Sequence, residues 1–87
     1  MISGDIMDKI KDFVLDYIQR EYTFPKDLDV MELNYVESGY IDSLSLIQFI
    51  ATIEDEFNIT FTDDELSNPD IKIVGKLIRM ISNKVGN

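Results

Sequence analysis

Apolar residues recur at intervals of three and four in three separate stretches of this 87-residue chain. In the first stretch, Ile6, Ile10, Phe13, Val14, Tyr17 and Ile18 are separated by Asp8, Lys9, Lys11, Asp12 and Asp16. That spacing draws one apolar stripe down a helix and predicts helix over about 5–21, with Ser3 or Gly4 ahead of its first turn and Asp5 at its positive end. In the second, Leu46, Ile47, Phe49, Ile50, Ile53 and Phe57 form a broad apolar face, with Ser45, Gln48, Thr52 and Asp55 opposite or beside it, predicting helix over 43–57. Leu44 is the exception, since it falls on the polar side near the helix start. In the third, Ile71, Val74, Ile78, Ile81 and Val85 make the stripe, with Ile73, Leu77 and Met80 widening it. Asn68-Pro69 supplies a cap and a first-turn proline, so a last helix is predicted over 69–83. Gly75 inside it costs about 1 kcal/mol relative to alanine, which points to close packing against a neighbour.

The stretches between are less regular. Pro25 ends the first helix, and residues 22–41 hold no sustained period. A connection that long inside a small domain must pack, so a short turn is expected near Asp29 to Leu33, with Leu28, Leu33, Tyr35 and Val36 as inward anchors. After Phe57, the run NITFTDDEL reads as a link and then a short helix over about 63–67, opened by Thr62 and Glu65 in capping-box spacing. Ile59, Phe61 and Leu66 are placed to close one side of the core. No internal repeat, low-complexity run or useful alternating strand pattern is present. The predicted fold is all-α: a small four-helix bundle of three longer helices and one short third helix, with a long first loop. Length limits it to one domain, 1–87, and with the starting methionine it suggests a discrete protein; a monomer is expected.

The chain contains neither cysteine nor histidine. That removes disulfides, thiolate nucleophiles, thiolate or imidazole metal sites and histidine acid-base catalysis. Net charge is −9, and every Lys and Arg lies at or before Lys26 or at or after Lys72. The charged residues between them are all acids, among them Asp42, Glu54, Asp55, Glu56, Asp63, Asp64 and Glu65. Such a field repels a phosphate backbone, so no nucleic-acid partner is expected; a basic protein surface suits it. The plainer reading is a solvated face that keeps a small protein soluble. The opening residues lack the plan of a secretory signal and no stretch has the uncharged length of a membrane span, so a cytoplasmic location without membrane insertion is expected. No EF-hand pattern is present, and no metal site is predicted.

Asp42-Ser43 stands where loop becomes helix, and both residue types are favoured caps. If Asp42 caps, Ser43 is the first helical residue and its hydroxyl projects at the surface. Neither is followed three residues later by Glu or Gln, so no capping box uses the serine. A phosphoester on Ser43 would meet the positive end of the helix, where free N–H groups and the dipole favour an anion. A hydrolytic serine would need a base; without histidine, and with Lys26 and Lys72 remote in sequence, no catalytic residue is assigned and the chain is read as not an enzyme.

Residues 35–66, YVESGYIDSLSLIQFIATIEDEFNITFTDDEL, resemble the acyl and peptidyl carrier proteins. The resemblance rests on Tyr35, Glu37 and Gly39 as aromatic-x-acid-x-Gly, on the D-S-L triplet at Asp42, Ser43 and Leu44, and on E-D-E-F from Glu54 to Phe57. It implies that Ser43 receives 4′-phosphopantetheine from coenzyme A as a phosphodiester, and that Asp42 orients the loop for the modifying transferase. It implies that Leu44 is an exposed apolar contact beside the arm, that Ile41 joins it in partner recognition, and that Glu54, Asp55, Asp63 and Asp64 form an acidic surface for basic patches on partners. Those partners would be a phosphopantetheinyl transferase, an acyl- or aminoacyl-loading ligase and downstream acyl-transferring enzymes, as in fatty-acid, polyketide or nonribosomal peptide synthesis. A protein without a thiol of its own would thus present thioesters through an attached arm. The stripe of Ile47, Ile50, Phe61, Ile71 and Val74 would shelter the cargo. Ser45 and Gln48 stand where fatty-acid carriers usually have acids, Phe49 is larger than the usual aliphatic residue, and G-Y-I-D-S-L looks more like D-alanyl and other specialised stand-alone carriers than the housekeeping type. The alternative from another class is an acidic helical adaptor that binds a basic partner without covalent modification.

Overall fold

The computed structural model describes residues 2–20 and 23–86, with the side chains of 2–5 outside the description. Four α-helices occur in the order α1 (Ile2–Ile18), α2 (Ser43–Phe57), α3 (Asp63–Ser67) and α4 (Val74–Val85), with 3₁₀ turns at Val30–Glu32 and Pro69–Lys72. The fold is all-α, with three long helices and one short one. α1 packs on α4, and Ile10, Val14 and Ile18 meet Leu77, Ile78 and Ile81 in a common core that also takes Phe49, Ile50 and Ile53 of α2. Tyr17 stacks on Phe49 with ring centroids 4.4 Å apart, and Tyr35 meets Phe49 edge-on at 5.8 Å. These rings fill the space between α1, α2 and the loop.

The long first connection is stitched to the start of α4. Its 3₁₀ turn closes with Leu33 N–H donating to the Val30 carbonyl at 3.1 Å, and the Leu33 carbonyl accepts from Val74 N–H at 3.0 Å. Asn34 pairs with Ile73 as an isolated antiparallel bridge, and Tyr35 N–H donates to the Lys72 carbonyl at 3.1 Å. The Tyr35 hydroxyl then donates to the Ile71 carbonyl at 2.7 Å, in a site with no solvent exposure of the ring. Burial pushes this phenol well above its ordinary pKa, because the ionised form would lose its water. Leu33 and Tyr35 are buried anchors, whereas Leu28 and Val36 are half-buried.

Three expectations need correction. The first helix runs from Ile2 to Ile18, so Ser3 and Gly4 lie within it rather than before it and Asp5 is no longer in its first turn; residue 21, its expected end, falls outside the described residues. The last predicted helix is broken: Pro69–Lys72 is a 3₁₀ turn, and Ile73 takes an extended backbone at φ −106°, ψ 125° to pair with Asn34 before α4 begins. Gly75 is therefore in the first turn of α4, where a Cβ would meet the Met31 carbonyl oxygen at 2.8 Å. That is the close approach its presence suggested. Ile47, counted with the inward face of α2, is 69% exposed. At 100° per residue the inward stripe is Leu46, Phe49, Ile50 and Ile53, while Leu44, Ile47 and Ala51 make a second, outward one.

Candidate functional site

The turn that delivers Ser43 is built by the loop just described. Asn34 Oδ1 accepts from Val36 N–H at 3.1 Å and Glu37 N–H at 2.9 Å, and Gly39 follows with φ 87°, a left-handed conformation that disfavours any side chain. The chain then folds back so that the Tyr35 carbonyl accepts from both Tyr40 and Ile41 N–H, each at 3.1 Å. Ile41 drops into the core with 5% exposure, and the next residue turns outward.

Asp42 is the N-cap of α2. Its backbone is extended at φ −84°, ψ 177°, its Oδ1 accepts from Ser45 N–H at 2.8 Å, and its carbonyl accepts from Leu46 N–H at 2.9 Å. The Ser45 amide, and after it the Ser45 hydroxyl, hold the Asp42 carboxyl below its ordinary pKa, keeping it an anion and an acceptor. With Asp42 capping, Ser43 is the first residue of α2 and is exposed. A hydroxyl there projects from the amino-terminal end of a 15-residue helix.

Two concavities flank the start of α2. On the α3 side, Leu46, Ile47, Ile50, Ala51, Glu54, Leu66 and Ile71 line an apolar groove of about 290 Å³. On the α1 side, a polar cleft of about 320 Å³ lies among Tyr17, Arg20, Tyr40, Asp42, Ser45 and Gln48. Among the described residues, no group of three or more acids is placed to hold a metal ion. No helix among them is long and apolar enough to cross a membrane.

The phosphopantetheine attachment site family matches residues 12–81. The chain is 33% identical to the acyl carrier protein of Lactobacillus acidophilus over 86 residues, which cover 99% of this chain and 100% of that protein. It is 29% identical to the acyl carrier protein of a Picosynechococcus species over 85 residues, 98% of each. This chain belongs to the phosphopantetheine-binding acyl carrier protein family. No solved structure matches it. As an acyl carrier it holds cargo and leaves catalysis to other proteins; its attachment site implies a covalent 4′-phosphopantetheine group, a phosphopantetheinyl transferase to install it and acyl-handling partners.

The junction suits that group. An exposed hydroxyl at the first residue of α2 is accessible, and the helix dipole would favour a phosphodiester anion there. The neighbouring Asp42 carboxylate is turned back on the Ser45 amide rather than left free beside it.

The carrier's other predicted site residues separate into surface and support. Leu44 is 79% exposed and stands with Ile47 on the outward stripe of α2. Asp55, Asp63 and Asp64 are exposed on α2 and α3. Glu54 is only half-buried surface: its Oε2 accepts from Phe61 N–H at 2.8 Å, tying the end of α2 to the chain entering α3. Ile41, expected beside them, is only 5% exposed and packs in the core, which leaves a partner little of it to touch. Sequence reasoning missed Ile47 as an exposed residue, though its spacing of three from Leu44 and four from Ala51 carried the signal. Arg20 was also missed, and no local pattern marks it; only the packing of α1 beside α2 brings it to the cleft. α3 is held by the Thr62–Glu65 capping box and by Lys84, whose Nζ lies 2.7 Å from Glu65 Oε1 and 5.3 Å from the centre of the Phe61 ring.

Proposed function

We propose that Ser43 is the residue that bears the 4′-phosphopantetheine arm, and that the carrier shuttles an acyl or aminoacyl group between partner enzymes in a specialised biosynthetic pathway. The observation that carries the attachment is the cap: Asp42 occupies the amide of Ser45, so the adjacent Ser43 hydroxyl stands exposed and uncommitted at the start of α2. When bound, the group supplies a terminal thiol on which acyl cargo is held as a thioester. The chain's own residues present the attachment point, shape the two concavities beside it and offer the surface that partners read.

Leu44 and Ile47 supply an apolar patch beside the arm, and Asp55, Asp63 and Asp64 supply negative charge for basic patches on the transferase, the loading ligase and downstream enzymes. Exposed charge of this kind speeds encounter without prolonging contact, which suits a shuttle working as a monomer in the cytoplasm. Ser45, Gln48 and Phe49, where fatty-acid carriers usually have acids and a smaller aliphatic residue, support the specialised role. Ile47, Ile50 and Ile71 line the apolar groove and offer shelter to an alkyl cargo, while Phe61 and Val74 are not among the groove's lining residues.

The attachment is tested by intact mass after incubation with coenzyme A, magnesium and a broad-specificity phosphopantetheinyl transferase, with Ser43→Ala in parallel. A single addition to the wild type alone is expected. An addition that persists in folded Ser43→Ala moves the site elsewhere; none on folded wild type, with a control carrier modified in the same tube, leaves Ser43 a helix residue and favours the non-covalent adaptor.

A further inference from the structure

The polar cleft has the chemistry of a ligand site. Tyr17 stacks on Phe49 at 4.4 Å, and the Arg20 guanidinium carbon lies 4.2 Å from the centre of the Tyr17 ring. A guanidinium laid over a ring keeps its N–H donors in its own plane, directed past the ring edge. Among the described residues no acid lies within ion-pair distance of Arg20, even though Asp16 precedes it by one helical turn and Asp42 lines the same cleft. The Asp42 carboxylate is engaged by the Ser45 amide at 2.8 Å. Ser45 and Gln48 complete the wall with uncharged hydrogen-bonding groups, and the amino-terminal end of α2 lies beside them. Arg20 is the cation of this lining, in a chain with no Lys or Arg between Lys26 and Lys72.

We propose that this cleft receives the carboxylate end of a short dicarboxylic acyl group carried on the arm, a reading that rests on Ser43 as the attachment point. A carboxylate matches the paired donors of a guanidinium, and the cleft's volume of about 320 Å³ admits a small polar group. The cleft shares Asp42 and Ser45 with the turn that holds Ser43, so the tethered group reaches it without crossing the bundle. An alkyl chain gains nothing there, because entering would strip water from polar groups without replacing their hydrogen bonds. The apolar groove on the opposite flank suits that chain instead. Carboxylate-bearing and plain alkyl cargo thus settle on opposite sides of α2.

The test compares arms of nearly equal length. Succinyl-coenzyme A and butyryl-coenzyme A are used as transferase substrates, the products are confirmed by intact mass, and ¹H–¹⁵N spectra are recorded for wild type and Arg20→Gln against their unacylated holo forms. In the wild type, the succinyl arm is expected to shift the Arg20 Nε–H, the Gln48 side-chain amide and the Ser45 amide, and the butyryl arm to leave them in place. Arg20→Gln, an exposed substitution, is expected to keep its dispersed spectrum and lose the succinyl-specific shifts. Equal responses to the two arms, shifts that persist in Arg20→Gln, or succinyl shifts at Ile47, Ala51 and Leu66 instead would overturn the proposal. Failure of both arms to add to Ser43 overturns the attachment as well, whereas an arm present beside an unresponsive cleft overturns this inference alone.

Discussion

Removing one oxygen atom, in Tyr35→Phe, probes the contact that pins the site-bearing loop to the start of α4. The ring stays in place with no exposure, edge-on to Phe49, while the Ile71 carbonyl loses a donor at 2.7 Å in a residue that is itself 1% exposed. A buried acceptor left without its partner costs about 1–3 kcal/mol. For a domain of this size each kcal/mol lowers Tm by about 4–8 °C. The same residue gives the chain an alkaline limb. Its folded pKa is raised by burial, so above the ordinary tyrosine value of about 10 the unfolded chain releases a proton that the folded chain keeps. The stabilisation is complete below that pH and is lost as pH rises, at about 1.4 kcal/mol per unit once the unfolded phenol is ionised. Urea unfolding followed by circular dichroism should therefore show wild type more stable than Tyr35→Phe at neutral pH, with the two curves converging as pH rises beyond about 10. A difference under about 0.5 kcal/mol at neutral pH, within the range of an ordinary surface substitution, would refute the hydrogen-bond reasoning. A difference that stays constant through the alkaline range would refute the burial reasoning.

Two further outcomes bear on the frame and on the surface. Gly75→Ala places a methyl 2.8 Å from the Met31 carbonyl oxygen, so the usual gain of alanine in a helix is outweighed; urea unfolding should show a loss of about 1–3 kcal/mol, and a more stable variant would mean the 3₁₀ turn yields freely. Ile47→Glu changes a residue that is 69% exposed, so unfolding free energy should move by no more than about 0.5 kcal/mol, while the rate of arm addition by the transferase falls in a time-resolved intact-mass assay; an unchanged rate removes Ile47 from the partner surface.

The start of α2 was legible because its cause is local: an extended Asp followed by an apolar period is written in consecutive residues. The capping box at Thr62 and Glu65 was legible for the same reason, and Gly75 because its cost in a helix needs a neighbour to justify it. The break at Ile73 was not, since Ile73 is apolar, in period and helix-tolerant; only pairing with Asn34, far away in the chain, extends it. Periodicity also failed to divide the apolar residues of α2 between core and surface. It finds stripes, but two stripes on one helix look like one broad face until the partners of each are known. Ile41 and Glu54 show the complementary limit. Each stands among surface motifs, yet one fills the core and the other supplies an acceptor for the Phe61 amide, roles decided by the direction of a turn rather than by residue type.

The loop's anchorage to Ile71, Lys72 and Val74 also divides the molecule by provenance. Tyr35 N–H meets the Lys72 carbonyl at 3.1 Å and its hydroxyl meets Ile71, so the chain leaves the α1–α4 frame and returns to it at nearly one point. Everything between, from the Gly39 turn through Ser43 and the acids of α2 and α3, is a closed excursion with its two ends fastened together. Such a segment is a cassette on its outer face: its exposed residues can drift as an address, while Ile41, Phe49, Ile50, Ile53 and Phe61 are held to the core they share with α1 and α4. Tyr17 and Arg20 lie outside the cassette while Tyr40, Asp42, Ser45 and Gln48 lie within it, so a transplanted address would bring most of the cleft's wall and meet the cation of its new host.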